Sequence, residues 1–382
     1  MNKMKKRQRE DWDPLSMTQK LLSMDTSNPP GREEEEAKFL AGILQAGGFE
    51  VHLLPVAPGR PNLIAILKGK GDKLPLCFSG HLDTVPFDKS LWIRDPLAGV
   101  VEYGKVFGRG ASDMKSGVAA MVVASLRLAA LTDRSADIMM ILSADQETGD
   151  NGTGFLVKHN GIPGRVGALI LGEPTANYPM IGHKGMLWMK AVTRGVSAHA
   201  SMPDKGENAI YKAARAVARL EDFTFDVTDP LMGSSTINIG TIEGGTALNM
   251  VPDRSVIGID VRTVHGQANN VVFGRLQAFL GPDIEVRCIA DAPSVRSDPD
   301  DRWIQEVYDV MAPILGERPV PRCVPYFTDA SVLATALGDP PVVILGPGEA
   351  AMAHRVDEFC YVSKIEEAAE AYFEIGRRWL AK

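Results

Sequence analysis

The chain has 382 residues, a formal net charge of −7 and an apolar content of 45%, which is typical of a globular protein of two or three domains. No basic stripe is visible in it, and this argues against nucleic acid as a partner. The four cysteines are far apart and form no CxxC pair, so we expect reduced thiols rather than a disulfide framework or a cysteine zinc site.

The first residues, MNKMKKRQREDWDP, are basic but lead into no apolar segment. They are therefore not expected to form a signal peptide. The sequence also contains no run of about 18 or more apolar residues, so no membrane span is expected. We expect a protein of the cytoplasm with no membrane partner.

The first half of the chain alternates between helix and strand patterns. Residues 33–46 place apolar side chains on one helical face, with acids at the amino-terminal end. Residues 113–131 are apolar nearly all round and predict a long, central helix. Short apolar runs predict buried strands at 62–68, 75–79, 137–143 and 167–171. This alternation predicts an α/β sheet with helices on both faces.

The pattern changes near residue 185. Half-exposed strands and helices that suit a compact α+β unit are predicted at 186–194, about 207–221, 235–242, 254–263, about 267–280 and 284–290. A helix, a buried strand and a last helix then follow at 301–315, 341–346 and 363–380. The simplest arrangement is one α/β domain, residues 1–184 and 296–382, with a second domain inserted at residues 185–295.

Polar side chains stand at the ends of the predicted strands, where open α/β sheets keep their sites. In SGHLDTVP, His81 follows an apolar strand, and Asp83 points the same way two residues later. Asp83 can then accept the second imidazole N–H, which is the usual support of a metal-binding histidine. A histidine satisfied within a capped turn is the alternative. In GRGASDMKSG, Asp113 stands before the long helix, where an N-cap is an equally good interpretation.

Three more candidates follow strands or glycine-rich loops, namely Glu147 in SADQETG, Glu173 in LGEPT and His354 in GPGEAAMAHRVDE. Two histidines and three carboxylates without cysteine suit zinc, cobalt or manganese better than a structural zinc finger. Five ligands are too many for one tetrahedral ion with an open position. They suit two ions about 3.5–4 Å apart with a bridging carboxylate.

Seven motifs occur in one order along the chain: GHLDTVP, GRGASDMKSG, LGEPT, SAHAS, GGTALNMVPD, DVRTVHGQ and GPGEAAMAH. Together they resemble the co-catalytic metallopeptidase family that contains acetylornithine deacetylase, succinyl-diaminopimelate desuccinylase, aminoacylase-1 and the glutamate-releasing carboxypeptidase of bacteria. The resemblance implies a zinc-peptidase-like catalytic domain, residues 1–184 and 296–382. It also implies that residues 185–295 form an inserted ferredoxin-like α+β domain that serves as lid and dimer interface.

The resemblance further implies a role for each candidate ligand. His81 and Glu173 hold one divalent ion. Glu147 and His354 hold the other, and Asp113 bridges the two. The cofactor is then a pair of divalent ions per subunit, with zinc expected first and cobalt or manganese as alternatives.

Other roles are implied by the resemblance alone. Asp83 orients the first histidine, and His199 reaches into the partner's active site and helps to stabilise the oxyanion. Asn249 and Arg262 hold a substrate carboxylate, and Gly348 lies beside the substrate. A guanidinium fork suits a carboxylate, but a surface arginine at Arg262 and a structural histidine at His199 are the alternatives.

One position departs from the family pattern. The third motif of the family reads Asp-Glu-Glu, with the first Glu as general base, but this chain has Gln146 there and keeps Glu147 as the ligand. An amide cannot accept the proton, and general-base help is worth about 10²–10⁴-fold in rate. Three explanations stay open: an engineered Glu→Gln change, a natural variant with an easier substrate or another base, and a natural non-enzyme. Asp145 and Asp150 are near enough in sequence to be considered as substitute bases.

The sequence therefore predicts a metal-dependent hydrolase that cleaves the amide bond of an N-acyl amino acid or a related small acyl-amine, of the deacylase or carboxypeptidase type. The alternative is a catalytically silent protein that binds metal and ligand on the same fold. A dehydrogenase is a poor interpretation, because GRGASDMKSG lacks the G-x-G-x-x-G spacing. The expected partners are a small-molecule substrate and a second copy of the chain, joined through residues 185–295.

Overall fold

The structure is a computed structural model that describes residues 12–149 and 151–381. The described chain forms two compact units. The first contains the described residues up to Gly182, the segment Ser297–Arg322 and the described residues from Thr328 onward. The second contains His183–Arg296 and the short segment Cys323–Phe327.

The segment Cys323–Phe327 lies in the second unit, whereas the sequence prediction placed it in the first domain. It belongs to the second unit because Val324 forms a β-bridge with His183. The backbone N–H of Lys184 also donates to the carbonyl oxygen of Val324 at 3.2 Å. Backbone pairing of this kind is invisible in the local sequence pattern.

Strands are numbered along the whole chain. Those of the first unit are β1 (Glu50–Ala57), β2 (Arg60–Leu67), β3 (Lys73–His81), β4 (Val100–Glu102), β5 (Lys105–Phe107), β6 (Ala136–Ser143), β7 (Ala168–Leu171), β16 (Val342–Ile344) and β17 (Phe359–Tyr361). Six of them form one sheet in the order β1-β2-β6-β3-β7-β16, and β17, β5 and β4 form a small second sheet. The buried strands predicted near residues 62, 75, 137, 167 and 341 all belong to the large sheet.

The centre of the large sheet is parallel. β3 is parallel to β6 and β7, and β16 is parallel to β7, whereas β1 and β2 form an antiparallel hairpin at one edge. His81 pairs with Ser143, and Ser79 pairs with Leu171. The carboxyl ends of β3, β6 and β7 therefore meet at one edge, where an open α/β sheet binds its ligands.

The helices of the first unit are α1 (Pro14–Leu22), α2 (Glu34–Ala46), α3 (Lys115–Ala129), α4 (Asn151–Lys158), α7 (Arg302–Leu315), α8 (Ala330–Ala336) and α9 (Val362–Leu380). The predicted central helix is confirmed, because α3 is buried on nearly all sides and packs against β3, α1 and α9. Its N-cap is Met114, so the N-cap interpretation of Asp113 is wrong. Among the described residues, no helix is both long and apolar enough to cross a membrane.

The second unit contains α5 (Ala209–Leu220), α6 (Asn269–Leu280), β9 (Met186–Arg194), β10 (Thr228–Asp229), β11 (Gly233–Ser234), β12 (Thr236–Gly244), β13 (Arg254–Arg262) and β14 (Ile284–Ala292). Two short strands, β8 (Gly182–His183) and β15 (Val295–Arg296), lie where the chain passes from one unit to the other.

The main sheet of the second unit is antiparallel in the order β12-β13-β9-β14. With the chain order β9-α5-β12-β13-α6-β14, this is the ferredoxin-like arrangement that was predicted. Alternate strand residues such as Leu187, Met189 and Ile259 pack with α5 and α6 residues such as Ala213 and Leu276 to form its core.

Candidate metal centre

Four of the five predicted ligands lie at the end of a strand, shortly after a strand or just before a helix. His81 is the last residue of β3, and Glu147 and Glu173 lie shortly after β6 and β7. Asp113 lies two residues before α3. His354 comes from a later loop in which it has a φ of +65°, a left-handed conformation that is uncommon for a residue with a side chain. Strained backbone of this kind is often found where a side chain is aimed at a site.

The structure brings all five predicted ligands together. Asp113 Oδ1 lies 3.2 Å from His81 Nε2, and its Oδ2 lies 3.3 Å from His354 Nε2. Glu173 Oε1 lies 3.9 Å from His81 Nε2. Glu147 Oε2 lies 3.2 Å from His354 Nε2. One carboxylate thus faces both histidines, and each histidine has one further carboxylate beside it.

Burial and mutual contact shift the pKa of every group in this cluster. Burial and the nearby Asp113 charge raise the pKa of Glu147, and burial raises that of Glu173 well above its ordinary value. Burial also opposes ionisation of Asp113, but hydrogen bonds with the two histidines hold its pKa below the usual range. Hydrogen bonds with Asp113 and Glu147 raise the pKa of His354 to about 10. The carboxylates therefore need positive charge, which protonated histidines or metal ions can supply.

The donor set fits divalent metal ions. The ligand atoms of His81, Asp113 and Glu147 lie within 4.8 Å of one another. Glu147 Oε1 is buried and has no hydrogen-bond partner among the described residues, as expected of an oxygen reserved for a cation. Imidazole nitrogen with carboxylate oxygen and no thiolate suits zinc, cobalt or manganese.

Asp83 supports the cluster, but in a different way from the one predicted. The nearest acceptor to His81 Nδ1 is the backbone carbonyl of Asp83 at 2.9 Å, while its carboxylate oxygen lies at 3.5 Å. The carboxylate instead accepts the backbone N–H groups of Gln146 and Glu147, both at 3.1 Å. Asp83 therefore holds the loop after β6 as well as the ring of His81.

The predicted residues of the second unit are described within that unit. His199 is exposed, and its Nδ1 lies 2.8 Å from Ser201 Oγ. It lies beside the segment of Asn249, because the N–H of Ala200 donates to the Asn249 carbonyl at 3.0 Å.

Arg262 is the last residue of β13, and its side chain is 26% exposed. Its Nε lies 2.9 Å from Asp260 Oδ1, and its guanidinium carbon lies 5.8 Å from the ring centre of Phe327. The guanidinium thus has a charged partner on its own strand, and its contact with a substrate carboxylate stays a prediction.

The chain matches known proteins over most of its length. Residues 77–378 match the model of the peptidase family M20/M25/M40. The chain belongs to this family. The acetylornithine deacetylase of Photorhabdus laumondii is 31% identical over 361 residues, which are 90% of this chain and 89% of that protein. The predicted family and enzyme class, a metal-dependent hydrolase, are confirmed.

Solved structures confirm the M20/M25/M40 fold. An M20 family metallo-carboxypeptidase from Sulfolobus solfataricus superimposes with a TM-score of 0.81 at 18% identity, over 96% of this chain and 99% of that one. A Bacillus subtilis protein described as a dinuclear metal-binding peptidase superimposes with a TM-score of 0.72 at 17% identity, over 96% and 97% of the two chains. Both likenesses concern the fold.

The M20/M25/M40 chain also has a buried network beside the candidate metal centre that the sequence did not predict. Asn28 Nδ2 donates to Asp83 Oδ2 at 2.8 Å and to Asp145 Oδ1 at 2.7 Å. Arg60 Nη1 lies 3.0 Å from Asp145 Oδ1, and Arg60 Nε donates to Glu33 Oε2 at 3.0 Å. The only local signal was the SNPPG motif that contains Asn28, since the partners come from distant parts of the chain.

This network bears on Gln146, the position where a general base is expected in relatives. Gln146 is 6% exposed and lies next to Glu147 on the loop that Asp83 holds. Asp145, considered as a substitute base, is ion-paired with Arg60 and accepts a hydrogen bond from Asn28, so it is a structural carboxylate. Asp150 lies outside the described residues.

Gly348 has a packing role in this M20/M25/M40 protein. A Cβ at this position would lie 2.1 Å from the carbonyl oxygen of Ser112. The Gly348 carbonyl accepts the N–H of Ala176 at 2.8 Å. The glycine thus allows the loop before His354 to approach the segment before Asp113, and contact of Gly348 with a substrate stays a prediction.

Proposed function

We propose that the protein is a two-metal hydrolase that cleaves the amide bond of an N-acyl amino acid or a related small acyl-amine. The observation that carries the proposal is the position of Asp113, which offers one oxygen to each of His81 and His354. A carboxylate between two histidines, each with a second acid, is the arrangement that a pair of ions requires. The similarity to an acetylornithine deacetylase supports an N-acyl amino acid as substrate.

Each ligand has a place in this proposal. His81 and Glu173 would hold one ion, and Glu147 and His354 the other, with Asp113 shared. Bound there, divalent ions polarise a carbonyl oxygen and lower the pKa of a water molecule. Zinc is the first expectation, and cobalt and manganese are the alternatives. Asp83 keeps the first histidine and the backbone of residues 146–147 in place for this chemistry.

Gln146 limits the proton transfer that amide hydrolysis requires. Its amide can orient a water molecule through hydrogen bonds, but it cannot accept the proton that hydrolysis releases. The proposed hydrolase therefore lacks the usual general base, whose contribution to the rate is about 10²–10⁴-fold. The same observation favours a second candidate, a protein that binds metal and ligand without turnover.

The second unit is proposed to bind the substrate and a second copy of the chain. Arg262, with Asn249, would hold the substrate carboxylate, because a planar fork matches a carboxylate in a bidentate way. His199 would stabilise the oxyanion in the partner's site. Exposed apolar side chains on and after the edge strand β12, Ile242 and Leu248, are 50% and 104% exposed and support the proposed dimer.

The test is to restore the base with Gln146→Glu and to assay N-acyl amino acids with zinc, cobalt and manganese. We expect a gain of about 10²-fold or more, since a carboxylate at this buried position can take the proton. The matched control is Gln45→Glu on the exposed face of α2, which should leave the rate unchanged. Elemental analysis should find about two ions per chain, which His81→Ala or His354→Ala should lower.

Each outcome separates the candidates. If both forms bind metal but neither hydrolyses any substrate, the protein is a binding protein. If the protein with Gln146 is already fast, the proton acceptor lies elsewhere and the role given to position 146 is wrong. A chain that binds no metal under any condition refutes the two-metal site itself.

A further inference from the structure

The loop that carries Asp113 is held by one buried carboxylate, Glu358, whose side chain is 1% exposed. Glu358 Oε1 accepts the backbone N–H groups of Ser112 at 2.8 Å and of Asp113 at 3.0 Å. Its Oε2 accepts the N–H of Gly110 at 3.1 Å. Three N–H groups of one loop therefore converge on one side chain that lies 245 residues away from Asp113 in sequence.

The Glu358 carboxylate accepts a fourth hydrogen bond from a side chain. Arg109 Nη1 donates to Glu358 Oε2 at 2.6 Å, and the residue is 4% exposed. The guanidinium is held in turn by the ring of Trp92, whose centre lies 5.1 Å from its central carbon. A buried arginine with a fixed partner on each side leaves Glu358 little freedom to move.

The same segment of the chain carries His354, four residues before Glu358. Two more bonds join it to the Asp113 loop: Gly108 N–H donates to the Glu358 carbonyl at 2.9 Å, and Ser112 Oγ–H donates to the Phe359 carbonyl at 2.7 Å. Asp113 and His354, which face each other, thus belong to two segments that hydrogen bonds join at Glu358 and Phe359.

An ionised carboxylate suits these four donors, which favour its charged form against the burial that raises the pKa of Glu358 to about 7. It has about four lone-pair directions and no hydrogen to place among N–H groups. A glutamine of the same size has one oxygen and an NH₂ group, so at least two donors would face another donor whichever way the amide turned. A buried donor without an acceptor is unfavourable, and the loop would shift to escape it.

We infer that Glu358 is a positioning residue that sets the carboxylate of Asp113 between the two histidines, and so permits two ions to bind together. The inference rests on the two-metal site proposed above. Metal sites tolerate errors in ligand distance of only about 0.2 Å. A small shift of the loop would therefore weaken the shared ligand first.

The experiment compares Glu358→Gln with the unchanged chain by equilibrium dialysis with Co²⁺ and by the visible absorption of the bound Co²⁺, which reports ligand geometry. We expect a 10- to 100-fold loss of affinity for at least one of two ions, the usual effect of altering support behind the ligands, and a changed spectrum. The matched control is Glu370→Gln, an exposed acid that lies 2.6 Å from Arg127. Its affinity and spectrum should equal those of the unchanged chain.

A variant that fails to fold does not end the test. Arg109→Met removes one of the four donors and keeps the three backbone bonds, so a weaker but measurable loss of Co²⁺ affinity is expected from it. If the Glu358→Gln chain is only less heat-stable without metal and binds both ions as before, Glu358 is merely structural and the inference is wrong. If the unchanged chain binds no ion, the proposed function fails instead.

Discussion

His183 makes a testable contribution to the pH dependence of stability. The side chain is 0% exposed, and its Nδ1 lies 2.8 Å from the carbonyl oxygen of Lys184. Its Nε2 has no hydrogen-bond partner among the described residues. Burial lowers the pKa of His183 to about 4, because the charged ring would lose its hydration inside the protein.

The size and sign of this pH effect on stability follow from the pKa of His183 in the unfolded and the folded chain. In the unfolded chain the ring has a pKa of about 6.5, so between about pH 4 and pH 6.5 the unfolded chain binds more protons than the folded one. The free energy of unfolding therefore falls as the pH is lowered through this window. From pH 7.5 to pH 5 the loss that His183 causes is about 2 kcal/mol, at about 1.36 kcal/mol per pKa unit.

The assay is urea unfolding at pH 7.5 and pH 5 in the presence of a chelator, with the unchanged chain and His183→Asn. Asparagine keeps a donor for the Lys184 carbonyl but does not titrate. The pH effects of the metal-centre groups are common to both chains and cancel in the difference. We expect the unchanged chain to lose about 2 kcal/mol more than the variant.

The control is His265→Asn, which replaces an exposed histidine of the same unit. This variant should lose stability with falling pH as the unchanged chain does. Equal pH dependence in His183→Asn and the unchanged chain would refute the argument that a buried neutral ring is charged only on unfolding.

Two further changes test the packing around the site. Lys115→Met leaves Glu36, which lies 2.7 Å from the Lys115 ammonium, as a buried and unpaired carboxylate. Chemical denaturation should show a loss of about 3–5 kcal/mol. Only part of it should be recovered when Glu36→Leu is added, because the buried carbonyls of Leu21 and Met24 also lose the Lys115 ammonium. Lys38→Met in an exposed pair should cost less than about 1 kcal/mol. Gly348→Ala would place a Cβ 2.1 Å from a backbone oxygen, so we expect the melting temperature to fall with a cost of about 1–3 kcal/mol. Gly154→Ala on α4 meets nothing within 4 Å and should be neutral or stabilising; equal losses in both would show that contact at Gly348 is not the cause.

The sequence by itself determined the elements and the chemistry at their ends. A strand buried on both faces is a continuous apolar run, and a polar residue at or just beyond its end stands out, as His81 does at the end of β3 and Glu173 does shortly after β7. The alternation of strands and helices likewise indicated the α/β sheet, and the half-exposed strands after residue 185 indicated the α+β unit. These features depend on near neighbours, so local periodicity reveals them.

Only the tertiary structure decided which groups touch. Asp113 pairs with both histidines, and Glu358 binds the loop of Asp113 across up to 248 residues of sequence. The bond of His81 to the Asp83 carbonyl depends on the direction of the backbone. Asn28, Arg60 and Glu358 look like ordinary polar residues in the sequence. Their importance comes from burial beside a few donors or acceptors, and that burial exists only once distant segments have packed together.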